Sequence, residues 1–356
     1  MMRQNNTSDS LPQRKTLITA LKSLLKMTLA GLVIYFCIGD KLNQDTIKQV
    51  QRLNIFWLLA AVIIYGIHIL VFSWRWRIIA QLLKISISNF KALSLSMQGV
   101  FFSLVIPGGA VGGDVAKVGL FCNQSEEKRL EGAFSIFVDR IVGMTALFVL
   151  MLLIIPFSYK LFSAITLPEM LGGVKVDHIL LPGLILLCLA GLGACVVIFF
   201  HKLWLKIPLL GTLLLKVDAI THGSFDRMCN ATNRYAAKWK TLLGMTVISL
   251  FFVHIFTALA LCCLLSGLQV EYSLFTVIVG MTVGNIMGMI PLFPSGVGIR
   301  DVVVVAFLTA GGMSPESAGL AQLIYTAIIL FYSLLGGGFF VFDNQKKISG
   351  YRAVAA

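Results

Sequence analysis

No GxxxxGK[ST] segment occurs in the chain, so a phosphate-cradling loop for ATP hydrolysis is not encoded. HExxH and GxSxG are absent as well, and no Cys/His cluster has ligand spacing, which leaves metalloprotease, serine hydrolase and zinc chemistry without a starting point. Neither a metal nor a cofactor is expected. The seven cysteines (Cys37, Cys122, Cys188, Cys195, Cys229, Cys262 and Cys263) form no CxxC pair and lie mostly in apolar runs, where they read as small hydrophobes. Charge is scarce: Asp, Glu, Lys and Arg make up 13% of the chain, against roughly 25% in a soluble domain. An ordinary water-soluble protein is thereby excluded.

What is abundant is apolar sequence, with 58% hydrophobic residues and a mean hydropathy of +0.89. About 20 apolar residues of helix cross a bilayer, and six runs read as full spans: Leu21 to Gly39, Asn54 to Ser73, Gly132 to Phe157, Ile179 to Phe200, Thr241 to Leu265 and Glu316 to Phe342. Two further regions are broken in the middle. Asn89 to Phe121 is interrupted by Pro107, Gly108, Gly109, Gly112, Gly113 and Asp114; Ser273 to Gly312 is interrupted by PLFPSGVGIRD, which carries Pro291, Pro294, Gly296, Gly298, Arg300 and Asp301. Broken backbone at membrane depth is tolerated only where protein or a wet cavity satisfies it, so both regions are expected to be re-entrant hairpins. The fold class is an all-α polytopic membrane protein with six full spans plus two re-entrant hairpins.

The formal net charge of +13 reads as topology and contact with anionic inner-leaflet lipids, not as nucleic-acid binding. With the N-terminus inside, 22 of the 29 Lys and Arg residues fall on cytoplasmic segments and five outside, while Arg140 and Arg300 remain in the membrane. Both termini are then cytoplasmic. The polar start has no AxA-like cleavage site, so it is expected to be a short disordered tail (1–20) before an uncleaved helix. A first membrane repeat (21–157), an external loop (158–178), a second repeat (179–342) with a cytoplasmic segment (201–240), and a tail (343–356) complete the layout. Three crossings per unit would invert the second repeat. PGGAVGGD and PSGVGIRD share proline, glycine and aspartate at matching places, and His68 and His254 precede them by similar distances. The 201–240 segment mixes Val217, Ile220, Met228, Tyr235 and Trp239 with basic residues, as an interfacial amphipathic helix or a solvated linker would.

A charge in a span costs on the order of 2.5–3.5 kcal/mol on insertion scales, so Asp139 and Arg140 need a reason to be there. Either Arg140 snorkels to the interface beside Asp139, or it faces a cavity and grips a phosphate with its planar fork. Arg300 and Asp301 follow a backbone break and favour the second reading. Gly109, Gly112, Gly113, Gly296 and Gly298 would expose N–H groups to an anion, with a helix starting near Val297. Asp114 and Asp301 would either stabilise helix starts or serve a substrate. His68 and His254 are either packed against neighbouring helices or form a proton relay. Trp74-Arg75-Trp76-Arg77 reads as an interfacial aromatic and basic anchor.

GGDVAKVGLF, VDRIVGM and PLFPSGVGIRDVVVVAFL, in that order among apolar spans, resemble the membrane region of bacterial lysylphosphatidylglycerol synthases and its stand-alone flippase-like relatives. The resemblance spans roughly Leu21 to Phe342. It implies a lipid-translocating domain in a bacterial inner membrane. Asp301 stands where that family often has glutamate, and no aminoacyl-transferase domain is found in these residues, so lysyl transfer is not expected. The leading expectation is a flippase, not an enzyme, whose membrane lipid substrate is held by Arg140 and Arg300, with Asp114, Asp139 and Asp301 positioning them. The alternatives are an intramembrane enzyme acting on a lipid headgroup and an envelope-assembly scaffold. An oligomer is compatible with the sequence but not specified by it.

Overall fold

The computed structural model describes residues 51, 53–106, 109–123, 128–165, 179–199, 224–289 and 298–354. The expected first span, much of the 201–240 segment, and Pro107, Pro291, Pro294 and Gly296 lie outside them. Ten helices follow in order among the described residues: α1 (Ile55–Leu82), α2 (Asn89–Val105), α3 (Ala110–Cys122), α4 (Arg129–Ser163), α5 (Leu180–Phe199), α6 (Ser224–Ala237), α7 (Trp239–Gly267), α8 (Leu274–Met287), α9 (Ile299–Ala310) and α10 (Pro315–Val354). Four of these are long and apolar enough to cross a membrane: α1, α4, α7 and the Pro315–Asp343 part of α10. Helix α4 runs on to Ser163 and α10 to Val354, past both expected span ends.

Large apolar side chains cover the outside. Phe56, Phe157, Leu186, Leu334 and Phe342 are exposed, an arrangement stable against hydrocarbon but not against water. Inside, α1 packs along α7, α2 along α3 and α10, α8 along α9, and α4 along α5 and α8. Lipid tails are as apolar as leucine, so these contacts rest on close fit more than on removal from water. Gly336 of α10 shows how close: a Cβ there would stand 2.1 Å from the Met97 carbonyl oxygen of α2. The α2–α10 contact is also tied by polar bonds. One oxygen of Asp343 accepts from Lys91 Nζ (3.2 Å), Ser94 Oγ (3.0 Å) and Gln98 Nε2 (2.9 Å), all on α2.

Local sequence explains several helix starts. Asn54, Ser88 and Ser273 each cap a helix by accepting from a backbone N–H two or three residues on. The returning helices α3 and α9 start differently, from Gly109 at φ 57° and Gly298 at φ 99°, a left-handed geometry that side chains resist. Inside α7, Leu250–Ile255 forms a π-helical stretch. Such widened turns change which carbonyls remain free to accept from neighbouring helices. In the partly described 201–240 segment, α6 is not simply laid on a surface: Tyr235 is fully buried and donates to the Ile79 carbonyl at 3.1 Å.

The tight glycine contact yields a two-sided expectation. Gly336→Ala should cost about 1–3 kcal/mol through overpacking, whereas Gly338→Ala, with nothing within 4 Å of its Cβ, should be neutral or stabilising because alanine favours helix. Thermal unfolding midpoints of the detergent-purified variants should move in opposite directions from each other, or at least separate clearly.

Candidate functional site

Among the described residues, α1, α2, α3, α4, α7, α8, α9 and α10 wall a cavity of about 320 Å³. Both arginines singled out in the membrane, Arg140 and Arg300, line it. So do Asp114, Asp139, His68, His254 and Gly113. Gly112 is buried in α3, and Gly109 and Gly298 serve as helix caps. Asp301 stands behind Arg300 rather than on the wall.

Pairing of the charges differs from their order in the sequence. Asp139 does not pair with neighbouring Arg140. Instead it receives both Nε (2.8 Å) and Nη2 (3.1 Å) of Arg75, while Arg75 Nη1 donates to Ser249 Oγ at 2.7 Å. Consecutive residues on a helix point about 100° apart, so Asp139 can reach α1 while Arg140 turns toward α3. Arg140 Nε donates to Asp114 Oδ2 at 2.6 Å and its Nη2 to the Ala110 carbonyl at 3.3 Å. The Trp74–Arg77 anchor expected at the interface is likewise corrected: Arg75 is 5% exposed and Trp76 not at all, because Asp139, Ser249 and Ser135 give them polar partners inside.

The second hairpin holds its own network. Arg300 donates to Asp301 Oδ1 from Nε (3.0 Å) and Nη2 (2.7 Å), and Nη2 also reaches Thr326 Oγ1 at 3.2 Å. Asp301 accepts further from Gln322 Nε2 (2.8 Å), Thr326 Oγ1 (3.1 Å) and the Gly298 N–H (3.2 Å). It therefore both caps α9 and fixes the guanidinium. Arg300 Nη1 has no partner among the described residues and is left for the cavity.

Both histidines are tied to backbone oxygens. His68 Nδ1 donates to the Val253 carbonyl in the π-helical stretch at 3.1 Å, and His254 Nε2 donates to the Gly143 carbonyl at 3.0 Å. Each ring keeps its other nitrogen for an acceptor or donor in the cavity. Four residues that matter here were not singled out from sequence as site residues: Arg75, Lys117, Gln322 and Thr326. Arg75 lies seven residues after His68 and Lys117 three after Asp114, spacings that put each pair on one helix face. Those spacings are the signal that could have found them.

In formal charge, the wall carries four cations (Arg75, Lys117, Arg140, Arg300) against two carboxylates (Asp114, Asp139), with Asp301 directly behind Arg300 as a third, which leaves a surplus of one positive charge. Such a surplus in a low-dielectric setting attracts an anion. Among the described residues no group of His, Cys, Asp and Glu could hold a metal ion.

The sequence pattern of the lysylphosphatidylglycerol synthase TM region matches residues 23–336. The chain is similar to a UPF0104 membrane protein of Pyrococcus horikoshii, 23% identical over 310 residues that cover 86% of this chain and 92% of that protein. A UPF0104 membrane protein of Methanothermobacter thermautotrophicus is 20% identical over 329 residues, covering 88% and 90%. No solved structure matches.

Arg75 and Asp139 have side chains only 6% and 11% exposed, so breaking their pair should be costly. Asp139→Asn is expected to lose about 3–5 kcal/mol by stranding a buried charge, and Arg75→Met combined with Asp139→Leu to recover much of it. Folded yield and unfolding midpoint of the single and double variants measure this.

Proposed function

The chain belongs to the lysylphosphatidylglycerol synthase TM region family, and from that footing we propose that it moves the headgroup of an anionic phospholipid or polyprenyl-linked lipid between leaflets of a cytoplasmic membrane. The observation that carries this reading is the shared cavity, where Arg140 from one part of the chain and Arg300 from another meet the same space with unsatisfied donor capacity. A volume of about 320 Å³ is at the small end of ligand sites. It suits a headgroup, leaving the acyl or prenyl tails in lipid. Arginine is fitted to the phosphate because its fork donates two parallel bonds and stays charged.

The transport route in this proposal runs between two re-entrant hairpins, α2/α3 and α8/α9. Helices α3 and α9 have 13 and 12 residues, about 20 and 18 Å at 1.5 Å per residue, short of a hydrocarbon layer roughly 30 Å thick. An inverted repeat is part of the same reading. Asp114 and Asp301 lie 187 positions apart, each near the start of a helix that leaves a positive-φ glycine. Each is bound by the long helix that follows, through Arg140 of α4 or through Gln322 and Thr326 of α10. Helix α2 packs on α10 as α8 packs on α4, the crosswise arrangement that two related halves would give. Rocking of one half against the other would expose the cavity alternately. His68 and His254 are the groups on its wall that could pass a proton. Six spans with both termini cytoplasmic complete the proposed topology.

Reconstitution tests it. In vesicles containing fluorescent phosphatidylglycerol, Arg300→Ala and Arg140→Ala should each lower lipid movement per folded protein at least tenfold, the folded fraction being measured because Arg300→Ala also strands buried Asp301. Unchanged rates in both would remove the arginines and the headgroup site from the mechanism, and formation of a new lipid product by the wild type would favour an enzyme instead.

A further inference from the structure

Of the four cations on the cavity wall, Lys117 is the exception. In charge, Arg75 is paired with Asp139, Arg140 with Asp114, and Arg300 with Asp301. Lys117 has no carboxylate within ion-pair distance among the described residues. It is 5% exposed, and the partners it does have are the Ser96 hydroxyl, to which Nζ donates at 3.0 Å, and the face of Trp76, whose ring centroid lies 3.7 Å away. An ammonium has three N–H groups. Two of them have no acceptor among the described residues.

That arrangement is held in place from behind. Trp76 is fully buried, its indole N–H donates to Ser135 Oγ at 3.2 Å, and Phe121 meets it edge-on. The ring is therefore a fixed platform rather than a passing contact. A ring face stabilises a cation but does not neutralise it, and a buried ammonium without an anion is strongly disfavoured. Helix α3 also carries Asp114 one turn earlier on the same face, and that carboxylate is occupied by Arg140. Asp139 and Asp114 act on Lys117 only from beyond ion-pair distance, and the cavity that it lines is the open side from which a direct anionic partner can reach it.

We propose that Lys117, supported by Trp76 and Ser96, is a phosphate-binding residue of the cavity and takes a phosphate oxygen of the ligand on its two open N–H groups. The inference rests on the cavity taking an anionic headgroup, and it names the group recognised: a phosphate ester or free phosphate, rather than a carboxylate or an uncharged headgroup. Lys117 and Arg140 would grip from the side of the first hairpin, with Arg300 facing them from the second.

The test uses the whole protein in a phosphate-free maltoside detergent, with phosphatidylglycerol added to the micelles or inorganic phosphate added to the solution. The Lys117→Met variant keeps the stem over Trp76 and removes the charge. Its expected signature is at least tenfold weaker binding of the phosphate-bearing probe together with an unfolding midpoint equal to or above wild type, while Lys117→Arg stays within about threefold of wild type. Binding of phosphatidylglycerol but not inorganic phosphate assigns the phosphate to a lipid; binding of inorganic phosphate alone supports the site with a soluble source. A lowered midpoint with unchanged binding in Lys117→Met would make the lysine structural and overturn the proposal. Loss of binding in Arg140→Ala and Arg300→Ala but not in Lys117→Met would overturn it while leaving the headgroup cavity standing. If none of the three variants alters binding, both readings fall.

Discussion

Hydrocarbon offers no partner to a charge, so every ionised side chain at membrane depth must find one within the protein, and this requirement organises the molecule. Four helices supply the charges that solve it: α1 gives Arg75, α3 gives Asp114 and Lys117, α4 gives Asp139 and Arg140, and α9 gives Arg300 and Asp301. Each carboxylate is taken by one arginine. The Arg75–Asp139 and Arg140–Asp114 pairs run between helices, and Asp301 is tied to α10 through Gln322 and Thr326, so these bonds fix the helices around a common space as they satisfy their own atoms. The cavity is thus what remains when charged groups of several helices converge without filling the centre.

The convergence also explains the mixture of finished and unfinished bonding. Arg75 makes four bonds and behaves as a brace between α1, α4 and α7. Arg140 binds the carboxylate through a single oxygen and is 42% exposed at its side chain, so it keeps room for another partner. Arg300 is fixed along one edge by Asp301 and Thr326, with Tyr325 beneath its guanidinium at 5.6 Å. A site whose groups are pre-oriented in this way loses little freedom when it receives an anion.

Hydropathy is a local property, and the helices that it predicts at 54–73, 132–157, 241–265 and 316–342 are present with longer ends. The two broken regions were legible for a similar reason: Gly109 and Gly298 sit at backbone turns that only glycine adopts with ease. Partner choice is not local. Asp139 follows Val138 and precedes Arg140 in the chain, yet its guanidinium comes from a residue 64 positions earlier. Basic-residue counting assigned Arg75 and Lys117 to a membrane surface because both lie at the ends of apolar runs, where such residues are usually wet. Helical-face spacing from His68 and Asp114 would have placed them inside. The π-helical stretch has no marker in its residues, LFFVHI; it packs against α1 and α4, contacts that lie far apart in the chain.

Helix α10 takes part in two attachments that concern different hairpins. At Asp343 it is strapped to α2 by three donors on one carboxylate oxygen, and at Gln322 and Thr326 it holds the carboxylate at the start of α9. The separation is about 17 to 21 residues, some 25 to 32 Å of helix. α10 is in effect a rigid connecting rod with a bearing at each end. Through this rod α2 is joined to the carboxylate behind Arg300 by a path that does not cross the cavity.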